Sequence, residues 1–367
     1  MENVEIKMNI NFWKNKKVLI TGHTGFKGSW LTLWLKKFGC TVSGISLEPE
    51  GKSLFNQLKL SQKIDFHNIL DINNFDHLNF LVHKFNPDIV FHLAAQPLVR
   101  EGYKNPRKTW QTNLLGSINL LESLKQIKKK CACIIITTDK VYENCEWEFG
   151  YRENDKLGGH DPYSASKAAL EIAINSWRDS FCGDEIYQNT YLGIATVRAG
   201  NVIGGGDWAR DRIIPDTIRA LQSNKPVIIR NPKSKRPWQH VLEPLSGYIE
   251  LAELIMARDD NGKYCNSFNF GPKIESNKSI EILLEEIFKH WEGKWNIDKE
   301  NINFYESKVL HLQIDKAYNL LGWAPKWSFS KTIDKTISWY KKTHEGIESP
   351  LECCIENIND FMSIKKT

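Results

Sequence analysis

The chain of 367 residues is 41% hydrophobic and 25% charged, as expected of a globular enzyme with one large domain or two moderate ones. Its formal net charge of +5 comes without a stripe of Lys and Arg, so we expect no nucleic-acid partner, although a mild basic excess suits an anionic small-molecule substrate. No run of about 18 apolar residues occurs and the N-terminus lacks a hydrophobic signal core, so we expect no membrane partner.

The eight cysteines show neither metal-finger spacing nor a disulfide framework. Reduced thiols are typical of cytoplasmic proteins. We therefore predict a cytoplasmic location and no metal site.

Strand-like and helix-like segments alternate through the first 200 residues. The patterns predict strands over 17–21, 41–47, 63–70, 88–95, 131–138 and 194–199, and helices over 28–38, up to 85, 106–127 and 163–181. Such alternation indicates right-handed βαβ units, and hence an α/β fold with a Rossmann-type, doubly wound parallel sheet.

The chain beyond residue 200 is less regular, with glycine-rich and arginine-rich loops and helices near 279–290 and 331–343. We predict that residues 1–200 form a dinucleotide-binding domain, which also takes in about 241–270. The stretches 201–240 and 271–367 are then expected to form a smaller α/β substrate-binding lobe.

The first predicted strand is followed by TGHTGFKG, in which Gly22, Gly25 and Gly28 are spaced G-x-x-G-x-x-G. Glycines permit a tight turn and a close backbone approach to a pyrophosphate, which would lie at the N-terminus of the following helix. The strand before the loop and the helix after it favour this interpretation over a chance turn. The predicted cofactor loop also includes Thr24, Phe26 and Lys27.

Polar residues follow the next strands at their carboxyl ends. Glu48, after the second strand, can accept hydrogen bonds from both ribose hydroxyls and would repel a 2′-phosphate, which favours NAD over NADP. The alternative for Glu48 is a solvated loop glutamate. The other predicted cofactor contacts are Asp71 and Ile72 near the adenine, and Ala94, Ala95 and Gln96 after the fourth strand.

Tyr163 and Lys167 lie four residues apart in YSASK, so they share one face of a helix that begins near Asp161 and Pro162. A cation beside a phenol favours the phenolate, so Lys167 is expected to lower the pKa of Tyr163. Tyr163 could then take a proton from a substrate alcohol while hydride leaves for the nicotinamide. Asn113, in the long helix, either orders a water or backbone group near the tyrosine or is simply a buried asparagine.

Thr138, Asp139 and Lys140 place a hydroxyl, an acid and a base in sequence at the end of the fifth strand. The alternative for these three residues is an ordinary turn after a strand. Their position at the carboxyl edge of the sheet favours a catalytic role, because such sheets bind ligands there.

Six stretches that carry these residues resemble one family across nearly the whole chain. They are TGHTGFKGSWL at 21–31, FHLAAQPLVR at 91–100, TTDKVYEN at 137–144, DPYSASK at 161–167, VRAGNVIGGGDWARDRIIPD at 197–216 and RPWQHVLEPLSGY at 236–248. The sequence resembles the extended short-chain dehydrogenases/reductases that act on nucleotide sugars, and among them the 4,6-dehydratases of the CDP-glucose branch.

The resemblance implies a three-step reaction on a CDP-sugar. Tyr163, helped by Thr138 and Lys167, would deprotonate the sugar 4-hydroxyl as hydride passes from C4 to NAD. Water would then leave across C5–C6 with Asp139 as the acid, and hydride would return to C6. The 4-keto-6-deoxy product suggests a supply of deoxysugars for surface polysaccharide.

One position departs from the dTDP-glucose branch of the family. That branch has Thr-Asp-Glu, with the glutamate as the C5 base, whereas this chain has Lys140 there. We expect Lys140 to be the base, and a lysine base must be neutral at the moment of transfer.

The second lobe is expected to supply donors to the sugar diphosphate, since the arginine fork pairs bidentately with phosphate oxygens. The predicted contacts are Asn201, Arg212 and Arg236, with Arg210 and Arg230 as further candidates whose alternative is a surface role, and Gln96 against the hexose. By resemblance, the helices at 106–127 and 163–181 would pair with a second copy, giving a homodimer or a dimer of dimers.

Other functions remain open at this point. One is a 4-epimerase or a dehydratase for another nucleotide sugar, and the other is a non-catalytic NAD-binding protein. An epimerase needs no acid–base pair after the fifth strand, and a scaffold gains nothing from keeping Tyr163, Lys167 and Asp139 together.

Overall fold

The computed structural model describes residues 9–183, 188–257, 262–298 and 309–364. The strands in these residues are β1 (Lys17–Thr21), β2 (Thr41–Ser46), β3 (Phe66–Ile69), β4 (Ile89–His92), β5 (Cys131–Ile136), β6 (Leu192–Ala199), β7 (Val202–Ile203), β8 (Val227–Ile229), β9 (Lys235–Pro237), β10 (Gln239–His240), β11 (Ser267–Phe270), β12 (Asn277–Ser279) and β13 (Trp295–Ile297).

The α-helices in the same part of the chain cover the sheet and build the remaining lobe. They are α1 (Ile10–Trp13), α2 (Phe26–Lys37), α3 (Leu54–Gln57), α4 (Phe75–Phe85), α5 (Val99–Lys104), α6 (Pro106–Trp110), α7 (Gly116–Lys125), α8 (Pro162–Phe181), α9 (Ile213–Gln222), α10 (Leu242–Ala257), α11 (Ile280–His290), α12 (Asp315–Leu321), α13 (Phe329–His344) and α14 (Pro350–Ser363).

The central sheet of the described residues has seven parallel strands in the order β11-β6-β5-β4-β1-β2-β3. Because β1 pairs with both β2 and β4, the chain winds outward in two directions from the centre of the sheet. The point where the winding reverses leaves a crevice at the carboxyl ends of the strands. The predicted α/β fold with a doubly wound parallel sheet is confirmed.

Both faces of the sheet are buried, which explains why its strands read as nearly continuous apolar runs. Val18 and Ile20 of β1 pack in one core cluster with Trp34 of α2. Leu19, between them, points to the opposite face and packs in a second cluster with Leu120 of α7. All five side chains are fully buried, so a core covers each face of the sheet.

Several predicted elements differ from the structure in their bounds; the strand predicted over 63–70, for example, spans only Phe66–Ile69. The strand predicted over 88–95 ends at His92, because the amide of Ala94 donates to the Thr21 side chain (3.3 Å) instead of continuing the ladder. The helix predicted over 106–127 is interrupted by a π-helical turn at Gln111–Leu115 between α6 and α7. Such turns are rare and often occur at functional sites.

Beyond β6, short two-stranded sheets alternate with helices. β7 pairs with β10, β8 with β13 and β9 with β12, while β11 joins the edge of the central sheet beside β6. Within the described ranges, no helix combines the length and apolar content needed to cross a membrane.

Candidate active site

The glycine loop between β1 and α2 packs too closely for side chains at two positions. A Cβ atom at Gly22, whose φ is +76°, would lie 2.6 Å from the backbone nitrogen of Ala94. A Cβ atom at Gly28 would lie 2.2 Å from the carbonyl oxygen of Gly22. The helix α2 then begins after Gly25 with no side-chain cap, so its first N–H groups can donate hydrogen bonds to an anion.

The polar residues predicted around this loop occupy different surroundings. The Thr24 hydroxyl lies 2.7 Å from Ser46 Oγ and donates to the Leu47 carbonyl (3.1 Å), which ties the loop to the end of β2. Glu48, two residues after the end of β2, is exposed. Asp71 accepts hydrogen bonds of 2.9 Å from both the backbone and the side chain of Asn73, and the neighbouring Ile72 is buried.

The segment Ala94–Gln96 is held by the π-helical turn. Asn113 Oδ1 accepts a hydrogen bond from the Gln96 amide (2.8 Å), and Asn113 Nδ2 donates to Ser166 Oγ (2.9 Å). The structure therefore gives Asn113 the backbone-ordering position, between the end of β4 and the helix α8.

The side chain of Gln96 is used within the protein. Its Nε2 donates to Thr109 Oγ1 (2.8 Å) and its Oε1 accepts from the amide of Leu98 (2.6 Å). These bonds favour a role for Gln96 in shaping the loop, and its contact with a hexose stays a prediction.

Tyr163 and Lys167 lie on the first two turns of α8, which is capped by Asp161 accepting from the amides of Tyr163 (2.9 Å) and Ser164 (3.0 Å). Lys167 donates to the Ile136 carbonyl at the end of β5 (3.1 Å). Burial, opposed by Glu171, lowers the pKa of Lys167 to about 8. The shared helix face predicted for Tyr163 and Lys167 thus faces the carboxyl edge of the sheet.

The expected lowering of the tyrosine pKa by Lys167 is wrong for the free protein. Burial raises the pKa of Tyr163 to about 12, while its hydrogen bond with Thr138 and the charge of Arg212 work in the opposite direction. Burial dominates because the phenol is only 8% exposed.

The Thr138–Asp139–Lys140 turn follows β5 and is closed by the Thr138 hydroxyl. That hydroxyl donates to Asp139 Oδ1 (3.1 Å) and accepts from the Lys140 amide (3.4 Å). Burial raises the pKa of Asp139, although Lys140, Thr138, Arg236 and Lys27 each lower it. Lys140 is half-buried. A carboxyl with a raised pKa is suited to donate a proton.

Three cations from separate elements act on Asp139 or on Tyr163 beside it. Lys27, from α2, feels both Arg212 and Asp139, and burial, reinforced by Arg212, lowers the pKa of Lys27 to about 8. Arg212 pairs with the buried Asp207 (2.8 Å), and Arg236 on β9 lies close enough to lower the pKa of Asp139. The sequence assigned Lys27 only to the cofactor loop, whereas these interactions place it close to Asp139 as well.

The remaining predicted substrate residues are more dispersed. Asn201 is half-buried just after β6, and Arg210 is exposed. Arg230 lies 4.0 Å from Asp211, which pairs more closely with Arg100 (2.7 Å). Arg230 lines a cleft of about 460 Å³ that also contains Arg100, Asp211 and Ile228.

A buried ion pair below the site was not anticipated from the sequence. Glu171, one helical turn after Lys167, accepts from Arg198 Nε (3.0 Å) and Nη2 (2.8 Å), and neither side chain is more than 2% exposed. Hydroxyls of Thr137 (2.5 Å) and Thr196 (2.8 Å) also donate to Glu171. The signal in the sequence was a lone arginine inside the apolar strand segment IATVRA.

The residues of the glycine loop fit the pyrophosphate of a dinucleotide. The side-chain-free approach at Gly22 and Gly28 and the uncapped start of α2 form the cradle that a pyrophosphate requires. In the described part of the chain, no three His, Cys, Asp or Glu side chains come together to hold a metal ion.

Comparisons with known proteins agree with this geometry. The family described as GDP-mannose 4,6 dehydratase matches residues 19–336. The chain is 46% identical to CDP-glucose 4,6-dehydratase of Salmonella typhimurium, over 96% of this chain and 98% of that protein. It is 28% identical to CDP-paratose 2-epimerase of Salmonella typhi, over 88% of this chain and 98% of that protein.

A solved structure shares the fold. UDP-glucuronic acid 4-epimerase from Bacillus cereus, in complex with UDP-glucuronic acid and NAD, superimposes with a TM-score of 0.73 at 24% identity, over 89% of this chain and 99% of that chain. The family match and the 46% identical relative lead to the same conclusion, and the shared fold agrees with it. The chain belongs to the short-chain dehydrogenase/reductase family of nucleotide-sugar dehydratases described as GDP-mannose 4,6 dehydratase.

Proposed function

We propose that this protein is an NAD-dependent CDP-glucose 4,6-dehydratase, which converts CDP-D-glucose to CDP-4-dehydro-6-deoxy-D-glucose. One observation carries the proposal. Thr138 joins the two groups that the reaction needs: its hydroxyl donates to Asp139 (3.1 Å), the acid for elimination, and it lies close enough to Tyr163, the base for oxidation, to lower the pKa of the phenol. The 46% identical relative named CDP-glucose 4,6-dehydratase supports the choice of substrate.

The groups that would hold NAD lie along the crevice of the sheet. The loop from Gly22 to Gly28 would receive the pyrophosphate, and Glu48 the adenosine ribose. Asp71 and the backbone of Ala94–Gln96 would line the rest of the cofactor. When bound, NAD supplies the acceptor for hydride from C4 and later the donor of hydride to C6. The B. cereus structure, which contains NAD on the same fold, supports this assignment.

Tyr163 would remove the proton of the sugar 4-hydroxyl. In the free protein the phenol keeps its proton because burial raises the pKa of Tyr163 to about 12. In this state the Thr138 hydroxyl donates its proton to Asp139 (3.1 Å). When Tyr163 has lost its proton, the Thr138 hydroxyl can turn to donate to the phenolate instead.

The same rotation would prepare the elimination. Once Thr138 donates to Tyr163, its oxygen can accept a hydrogen bond from the protonated Asp139, a carboxyl whose pKa is raised by burial. Asp139 then gives that proton to the leaving 6-hydroxyl as Lys140 takes the proton from C5. One C–H bond and one C–O bond break, a C5–C6 double bond forms, and water departs.

The substrate diphosphate would lie between the two parts of the chain. Arg212 and Arg236 both act on groups of the catalytic centre, so they are suited to the phosphates nearest the sugar. Asn201 and Arg210 would complete this side, while Arg230 in its cleft would lie toward the nucleoside. On this basis residues 201–240 and 271–367 form the nucleotide-sugar-binding lobe, and 1–200 with about 241–270 form the NAD-binding domain.

A homodimer through α6, α7 and α8 is part of the proposal. Trp110 on α6, Leu115 in the π-helical turn between α6 and α7, and Ile172 on α8 are 37%, 54% and 59% exposed. Pairing with a second copy would cover them.

All eight cysteines are free thiols, which favours the reducing cytoplasm.

The activity is tested by incubating the protein and NAD with CDP-glucose, UDP-glucose or dTDP-glucose. We expect the alkali-induced absorbance of a 4-keto sugar with CDP-glucose, and at least tenfold lower kcat/KM with the other two. Turnover of another nucleotide sugar alone would transfer the activity to that substrate. A C4-inverted product without loss of water would indicate an epimerase, and no turnover with any of them would leave a non-catalytic NAD-binding protein.

A further inference from the structure

A chain of buried polar groups lies directly beneath the glycine loop. Thr21 and His92 are the last residues of the neighbouring strands β1 and β4, and they lie side by side in register. Ser117 belongs to the first turn of α7. All three side chains are fully buried. The Nδ1 atom of His92 lies 2.6 Å from Thr21 Oγ1, and its Nε2 atom lies 2.8 Å from Ser117 Oγ.

The bonds at the two ends of the chain determine where each proton lies. The Ser117 hydroxyl donates to the carbonyl oxygen of Asn113 (2.8 Å), so it can only accept from His92, and the imidazole proton must be on Nε2. The unprotonated Nδ1 then accepts a hydrogen bond from the Thr21 hydroxyl. Thr21 Oγ1 in turn accepts from the Ala94 amide (3.3 Å).

When the imidazole is neutral, each donor and each acceptor in this series of hydrogen bonds has a partner. A second ring proton on Nδ1 would point at the Thr21 hydroxyl and would force that buried hydroxyl to turn away. Burial, with the charge of Lys167 as a second cause, holds the pKa of His92 at about 3. The hydrogen bonds therefore select the Nε2–H tautomer, and burial favours the neutral ring that this tautomer requires.

The chain continues to the catalytic helix. Asn113, whose carbonyl receives the Ser117 proton, also accepts from the Gln96 amide (2.8 Å) and donates to Ser166 Oγ (2.9 Å). Ser166 Oγ donates to the backbone carbonyl of Tyr163 (2.7 Å). A continuous path of hydrogen bonds therefore connects the Ala94 amide, on the cofactor side, with the backbone of the catalytic tyrosine.

We propose that His92, as the neutral Nε2–H tautomer, is a positioning residue that fixes the Ala94–Gln96 backbone relative to Tyr163. A fixed distance between cofactor and base matters because hydride transfer is sensitive to displacements of about 1 Å. The kinetic consequence rests on the proposed dehydratase function, whereas the protonation pattern does not.

Two serines of α7 offer a matched pair of variants. Ser123 is fully buried like Ser117 and donates to the carbonyl four residues earlier, Asn119 (2.9 Å), but it has no contact with His92. We expect S117A to lower kcat about tenfold with the KM for CDP-glucose unchanged, since it leaves the Nε2–H group unpaired. S123A should leave kcat within about twofold. Equal kcat values for the two variants would overturn the positioning role.

Replacing the histidine itself provides a rescue test. In H92Q the side-chain NH₂ can still donate toward Ser117, whereas H92L can make neither bond. H92Q should retain more of kcat than H92L. Equal losses in the two variants would contradict the role of the Nε2–H group.

The protonation state is measured independently of activity by ¹⁵N NMR of the ring nitrogens in the intact protein. The His92 signals are identified among the ten histidines by their loss in H92Q. We expect an Nε2–H pattern unchanged from about pH 5 to about pH 9. An Nδ1–H pattern, or titration in this range, would overturn the inference even in an active enzyme. Failure of all nucleotide sugars to react would refute the proposed function and leave this result intact.

Discussion

The two sides of the site are built from different interactions. On the cofactor side, Asn113, Lys167 and Glu171 are buried and tied by hydrogen bonds to backbone groups or to one another. On the sugar side, Lys140 and Arg236 are partly exposed and act on Asp139 through their charge. The difference follows the chemistry, because hydride transfer needs fixed distances while acid–base steps need groups that change charge.

The largest effect is expected from Tyr163→Phe, which removes the phenol hydroxyl that would take the proton of the sugar 4-hydroxyl. Loss of a general base typically costs about 10²–10⁴-fold in rate, and kcat should fall by this amount. Steady-state kinetics with CDP-glucose measures the loss. Because the ring is retained, thermal stability should change little. A variant with more than half of the original kcat would remove Tyr163 from the mechanism.

The buried bonds of the cofactor side predict a large effect on stability. Glu171→Ala leaves the Arg198 charge buried without its partner, so the free energy of unfolding should fall by about 3–5 kcal/mol. Glu122→Ala is the matched control, because Glu122 pairs with Lys125 at the surface, where such pairs contribute about 0–1 kcal/mol. Urea unfolding compares the two. Similar losses would show that the Glu171–Arg198 pair does not stabilise the fold.

On the sugar side, two arginines of the same loop should differ. Arg212→Met removes a charge that acts on Tyr163 and Lys27, and we expect the KM for CDP-glucose to rise about tenfold or more. Arg210 is exposed, so Arg210→Met should raise KM less. Initial rates at varied CDP-glucose distinguish them. A larger rise in KM for Arg210→Met would reverse this assignment.

The smallest effect is a shift in pH dependence. Lys27 lowers the pKa values of Asp139 and Lys167, so Lys27→Met should raise both. Asp139 acts as an acid only while protonated, and its activity is lost as the pH rises through its pKa. The alkaline limb of kcat at saturating NAD should therefore move up by about half a pH unit. Lys37→Met, at the other end of α2, is the control. A downward shift would contradict the electrostatic role of Lys27.

The sequence predicts the sheet and the glycine loop better than the buried contacts that support them. Apolar runs such as 17–21, which alternate with helix-like segments, are sufficient to predict the sheet. The cofactor loop at 21–28 is predicted from the spacing of its glycines. The π-helical turn at Asn113 could not be predicted, since ordinary helical periodicity runs through it. The Glu171–Arg198 pair and the high pKa of Tyr163 depend on tertiary burial, which local spacing does not contain.

The central claim is that Asp139 and Lys140 convert an oxidation into an elimination. Single-turnover absorbance of the Lys140→Met enzyme with CDP-glucose tests it most directly, with Lys156→Met, a surface lysine paired with Glu143, as the control. We predict that NADH forms and persists, while the rate at which the 4-keto-6-deoxy product forms falls about 10²–10⁴-fold. Full dehydration by Lys140→Met would contradict the account.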